Sequence, residues 1–171
     1  MTADNHQELV CIVDKQGNTI KKVKRGELND AYTWKIICVW IENSQGQVLL
    51  QQRSYKKRFG PGLWTCAVEG TVENDDDYLE TAQREVEEEI GLSDVTLIPA
   101  KQLLYKSDVG SRLAQGYKVL CDWPIQYFTP QPEEVEKLEW RDKKATVEQM
   151  KAKHPDFPVA GQAWLEMFDL V

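Results

Sequence analysis

The chain has 171 residues, of which 42% are hydrophobic and 29% charged, with a net charge of −7. That length suits a single domain with a substantial core, and the acidic balance excludes a nucleic-acid polymer as the main partner, because a phosphate backbone needs a basic surface. No apolar stretch approaches the ~20 residues of a membrane span, and the opening MTADNHQELV lacks the basic-then-apolar pattern of a secretory signal, so a cytoplasmic protein without a membrane partner is expected.

In chain order, ELVCIVDKQGNTIKKV reads as strand, polar glycine turn, strand. TWKIICVWIENSQGQVLLQQRS repeats this with longer strands, at 35–42 and 48–53, around the hairpin signal NSQGQ. YKKRFGPGLW is a basic loop closed by Gly-Pro-Gly, TCAVEG a short strand ending in glycine, and TVENDDD an acidic loop. From Tyr78 to Ile90 the hydrophobic period becomes helical. VTLIPAKQLLYKS and RLAQGYKVLCDWPIQYF read as two strands around SDVGS. TPQPEEVEKLEW is a Pro-rich loop entering a short strand, ATVEQMKAKH a helix stopped before Pro155, and VAGQAWLEMFDLV a closing helix. The expectation is one α+β domain over 1–171, with a β-hairpin extension at 1–30 that can pair within the domain or across a homodimer.

The four cysteines, Cys11, Cys38, Cys66 and Cys121, are far apart and form no C-x-x-C. They are expected to be buried free thiols of a reducing compartment. A zinc site is not expected, since the chain has only two histidines, His6 and His154, and no C-x-x-C.

The segment REVEEEIG (84–91) places four glutamates in the last turn of the predicted helix, where the helix dipole disfavours anions and like charges repel. Asp77 is the expected N-cap, with Glu80 completing a capping-box pattern, and Gly91 the expected C-terminal stop. At about 100° per residue, Leu79, Val86 and Ile90 form the core face, Glu85, Glu88 and Glu89 converge on an adjoining face, and Glu87 and Glu80 face solvent. Three convergent carboxylates can be held together by a hard divalent cation, which relieves both the repulsion and the dipole. A solvated acidic face is the alternative reading of the octapeptide taken alone.

The longer pattern selects between them. Gly70, Asp76 and REVEEEIGL resemble the Nudix box, G-x5-E-x7-R-E-U-x-E-E-x-G-U with U aliphatic. Gly70, Arg84, Glu85, Val86, Glu88, Glu89, Gly91 and Leu92 match, and Asp76 replaces the family's glutamate. The resemblance covers roughly residues 33–145. It implies an α/β/α sandwich with a mixed sheet and a loop-helix-loop motif at 70–92. It also implies hydrolysis of a small organic diphosphate such as a nucleoside diphosphate-X, with Mg2+, or Mn2+ in its place, as cofactor. By motif position the metal set is Glu85, Glu88, Glu89 and the Gly70 carbonyl, with Arg84 orienting a box carboxylate. Glu134, from Glu133, Glu134 and Glu136 of QPEEVEKLEW, is the favoured general base, alongside a box glutamate such as Glu88. Arg53, Lys57 and Arg58 are candidates to grip phosphate, and Trp64 and Tyr117 are candidate pocket aromatics.

The sequence is closest in appearance to isopentenyl-diphosphate isomerases within this fold, but Glu69 stands where their cysteine would be, Thr71 where a histidine would be, and Tyr32 near the domain start where histidines would be. By strand alternation Cys66 is expected to face away from this region. A non-catalytic diphosphate-binding domain is the third reading, disfavoured because all three convergent glutamates are present.

Overall fold

The computed structural model describes residues 5–73 and 77–170. Asp76, the one departure from the box pattern, lies outside them. The described strands are β1 (Leu9–Val13), β2 (Thr19–Lys24), β3 (Thr33–Glu42), β4 (Gln47–Arg53), β5 (Trp64–Cys66), β6 (Val68–Thr71), β7 (Ile98–Lys106), β8 (Ser111–Leu120) and β9 (Val135–Asp142), all in one mixed sheet. Three helices accompany them: α1 (Tyr78–Ile90), α2 (Lys143–Lys151) and α3 (Gly161–Met167).

The near-continuous apolar run of β3 explains its central place, since a strand covered on both faces cannot alternate. One edge of β3 pairs in parallel with β8 from Thr33–Ser111 to Glu42–Leu120. Antiparallel partners share its other edge in turn: β1 at Trp34, β6 from Ile36 to Val39, and β4 at Ile41 and Glu42. β4 also pairs with β5 and β9, and β7 pairs with β8. The N-terminal hairpin β1–β2 therefore joins its own chain's sheet.

Alternation along β3 splits the core into two layers. Ile37, Val39 and Ile41 pack with Ala82, Val86 and Ile90 of α1. Ile36, Cys38 and Trp40 pack with Val147 and Met150 of α2 and Trp164 and Met167 of α3. Trp40 stacks on Phe168 with ring centroids 5.5 Å apart. The result is the expected α/β/α sandwich around a mixed sheet.

Local differences from expectation have physical reasons. Leu79 is not on the core face: it is 40% exposed, because burial along α1 begins only at Thr81, two residues later. TCAVEG is two strands, since β5 pairs with β4 and β6 with β3. The strand expected through Phe128 ends at Leu120, and Ile125–Tyr127 is a 3-10 turn. At the helix ends, Asp77 accepts a hydrogen bond from the Leu79 N–H at 2.7 Å, and Gly91 takes the left-handed conformation (φ 70°) that closes the C-terminus.

Candidate active site

Gly70, on β6, faces α1. A β-carbon there would lie 2.5 Å from Cγ and 2.8 Å from Cδ of Glu85, so only glycine lets the helix bring this carboxylate against the strand. Glu85, Glu88, Glu89 and Gly70 all line one cavity of about 280 Å3, and Glu87 does not. Glu88 is exposed at the cavity mouth, whereas Glu89 is only 5% exposed.

Electrostatics at this cluster are unfavourable without a cation. Burial raises the Glu85 pKa to about 7, against the opposing pull of Arg84, whose Nη2 lies 3.6 Å from Glu85 Oε1. Glu88, Glu73 and Glu134 add to the rise. Burial likewise holds Glu89 well above the usual carboxylate range, helped by Glu85 and Glu134 and opposed by Lys57 and Arg53. Gln51 Nε2 reaches the Glu89 carboxylate only at a long 3.4 Å. Clustered carboxylate oxygens whose burial and mutual repulsion the 3.6 Å Arg84 contact only partly offsets are the hard donor set that Mg2+ or Mn2+ takes, so these residues fit a divalent ion.

The loop before β9 supplies the opposite wall. The Gln131 N–H donates to the Glu89 carbonyl at 2.8 Å, and the Ser54 N–H to the Glu134 carbonyl at 2.9 Å, tying the loop to α1 and to the end of β4. Of Glu133, Glu134 and Glu136, only Glu134 lines the cavity, and Lys57 Nζ sits 2.5 Å from its Oε2. Arg53 donates from Nε to the Phe59 carbonyl at 3.0 Å and points Nη1 toward Glu69, 3.9 Å away. The cavity thus joins a carboxylate end to a cationic edge.

Three expected substrate contacts stand elsewhere. Arg58 is exposed, donates to the Gly26 carbonyl at 3.3 Å and lies over the Phe59 ring. Trp64 is buried beneath the Arg141 guanidinium, 3.7 Å from its ring centroid, because its strand abuts the β4–β9 ladder. Tyr117 is 5% exposed within the core layer of α1. None of the three lines the cavity.

The alternation argument for Cys66 also gives way. Ala67 and Val68 both pack on the α1 side, so a break at Ala67 returns Cys66 to the face that carries Glu69. The two thiols of Cys38 and Cys66 and a Glu69 carboxylate oxygen lie within 4.8 Å of one another, with Cys38 Sγ 3.7 Å from Glu69 Oε1. All four cysteines are buried and free. Sequence reasoning missed Glu69, Tyr105 and Arg112 as cavity-lining groups.

Comparison with known proteins bears on the family and the fold. A family model described as NUDIX domain matches residues 31–160. A Nudix hydrolase of Yersinia pestis, named as uncharacterized, is 28% identical over 134 residues, 78% of this chain and 72% of its own length. An isopentenyl-diphosphate Delta-isomerase of Clavibacter sepedonicus is 27% identical over 145 residues, 80% of this chain and 75% of that protein. In fold, the crystal structure of DR0079 from Deinococcus radiodurans aligns with a TM-score of 0.71 at 20% identity, covering 85% of this chain and 90% of that one.

Proposed function

This chain belongs to the Nudix hydrolase family, and we propose that it is a Mg2+-dependent pyrophosphohydrolase cleaving the diphosphate linkage of a nucleoside diphosphate-X or related small organic diphosphate. Enzymes of this family generally hydrolyse nucleoside diphosphate-linked substrates with a divalent metal ion. One observation carries the reading for this chain: three box carboxylates, of which Glu85 is pressed against Gly70, share one cavity with Glu134, Lys57 and Arg53.

Glu85, Glu88, Glu89 and the Gly70 carbonyl would hold the metal. Bound there, it would neutralise charge on the diphosphate and make a bound water more acidic. The chain's own groups do the rest. Arg84 orients Glu85 through their contact. Lys57 and Arg53 receive the phosphate oxygens, as cations placed where negative charge develops in the transition state. Glu134 takes the proton from the attacking water, its carboxylate oriented by Lys57 and its backbone by Ser54. The four free thiols support a reducing, cytoplasmic setting.

A second reading, isomerisation of isopentenyl diphosphate to its allylic isomer, draws support from the Clavibacter relative. One experiment tests both. The purified protein is incubated with Mg2+ and a panel of nucleoside triphosphates, ADP-ribose, coenzyme A and isopentenyl diphosphate, and phosphate release and the isomerised product are followed separately. Metal-dependent phosphate or pyrophosphate release from a panel member supports the hydrolase. Isomerised product without release overturns it in favour of the second reading.

A further inference from the structure

The cavity has a second end. The charges acting most on Glu85 and Glu89 come from Arg84, Glu88, Glu73, Glu134, Lys57 and Arg53. Those acting on Arg112, another lining residue, come from Tyr105, Glu69, Cys38 and Arg25. Arg112 pairs with Trp34 across the edge of β3 opposite to β6, so β3 lies between the strand of Arg112 and the strand of Gly70, while Glu69 on β6 feels both Arg112 and Arg53.

The Arg112 guanidinium is held ready for an anion. It lies over the Trp34 ring, 3.5 Å from the centroid, and Nη1 donates to the Val109 carbonyl at 2.6 Å and, more weakly, to the Ser111 carbonyl at 3.4 Å. An arginine has five N–H donors in a planar fork, and here these backbone bonds engage one nitrogen. Among the described residues no carboxylate comes within 4.0 Å of it. Of the anions at this end, Glu8 pairs with Arg25 at 2.5 Å, Asp30 with Lys106 and the Gly110 N–H, and Glu69 lies 3.9 Å from Arg53 while also acting on Arg112; Asp108, exposed, lines the cavity as well. Burial of the guanidinium brings its pKa down to about 10, so it is still charged at neutral pH.

Its supports are rigid. The turn before it is closed by Ser107 N–H to the Gly110 carbonyl at 3.0 Å, and Ser111 N–H donates to the Tyr32 carbonyl at 2.8 Å. Gly110, at φ +66°, leaves no room for a β-carbon, which would lie 2.6 Å from Trp34 Cζ3. Tyr105 lines the same end, and its hydroxyl makes no hydrogen bond among the described residues. Trp34, Ile36 and Leu28 supply apolar wall between the two ends.

We propose that this end is a second anion subsite: the substrate carries a carboxylate or phosphate on the short organic group beyond its diphosphate, and Arg112 receives it in two-point contact while the Tyr105 hydroxyl donates to it. The proposal rests on the diphosphate reading of the box carboxylates. A hydrocarbon tail would leave the guanidinium desolvated and unpaired, a disfavoured outcome.

The test uses three probes of similar length, butyl diphosphate, 3-carboxypropyl diphosphate and 3-phosphonopropyl diphosphate. Each is also made with a P–CH2–P linkage, so that binding is read by calorimetry in Mg2+ without turnover. The wild-type protein is expected to bind at least one anionic-tail probe about 10-fold more tightly than the butyl probe, as a charged hydrogen-bonded pair predicts. The carboxylate and phosphonate arms distinguish the two anions. Arg112→Met should reduce that preference to below about 2-fold and leave butyl affinity unchanged, and Arg112→Lys should retain part of it. Should Arg112→Met fail to fold, Tyr105→Phe keeps the ring and should weaken only the anionic-tail probes. No preference in the wild type overturns the proposal, as does an equal loss for all probes in Arg112→Met, which would make Arg112 a brace. Hydrolysis of the P–O–P probes and of the nucleotide panel is scored separately, and no release from any of them overturns the hydrolase reading alone, because the binding preference is measured independently.

Discussion

Cγ of Glu85 lies 2.5 Å from the position a β-carbon on Gly70 would occupy, so the strand and the carboxylate of α1 are in contact through the absence of a side chain. Gly70→Ala must therefore push Glu85 out of the cluster. A displacement of about 1 Å at reacting groups costs ~100-fold, and a fall of that size in kcat for Mg2+-dependent hydrolysis is expected, with the far-ultraviolet circular dichroism unchanged. An alanine variant of full activity would show that Glu85 need not touch the strand.

Glu87 and Glu88 are adjacent, both exposed and identical in chemistry, yet only Glu88 lines the cavity. Glu88→Gln is expected to lose about 100-fold or more of metal-dependent activity, the scale of removing a group that stabilises transition-state charge. Glu87→Gln should change it less than about 2-fold. Steady-state kinetics at saturating Mg2+ make the comparison, and equal effects would disprove the assignment of helix faces.

With a chelator present, the protein should lose stability as pH rises from 5 to 8. Glu85 has a folded pKa of about 7 against an ordinary value of 4.5. Between these values the folded state binds more protons than the unfolded one, so the free energy of unfolding falls with increasing pH. At ~1.4 kcal/mol per unit this amounts to about 3 kcal/mol, and Glu89, raised for the same reason, acts in the same direction. Melting curves should show the midpoint dropping by roughly 5–10 °C, and Mg2+ should recover most of it at pH 8. A metal-free midpoint that climbs from pH 5 to 8 would contradict this account.

Trp64 tests the distinction between wall and core. Its ring lies under Arg141 and outside the cavity. Trp64→Leu is expected to leave KM unchanged within about 2-fold, while destabilising the protein by ~1–3 kcal/mol through lost burial and the lost cation–π contact. A large rise in KM with unchanged stability would place Trp64 on the substrate instead.

The sequence by itself determined the elements and the helix that carries the carboxylates. Hydrophobic period, capping residue and terminal glycine are local properties, so Asp77, Ile90 and Gly91 could be placed without the fold. Local spacing also separated Glu87 from Glu85, Glu88 and Glu89, because angle around a helix is fixed by residue number. It failed at Leu79, where position along the axis relative to the sheet mattered and angle did not. Only the tertiary structure decided what meets the helix. Glu134 comes to the cluster through hydrogen bonds across more than forty residues of sequence, from Gln131 to Glu89 and from Ser54 to Glu134. Trp64 and Tyr117 went to the core because pairing register, which no single strand specifies, set the face they present. A break at Ala67 reversed the facing of Cys66, since one residue out of phase turns a side chain to the other side of the sheet. Arg112 reached the cavity because a parallel ladder with β3 set it beside Trp34, a long-range pairing that local sequence does not encode.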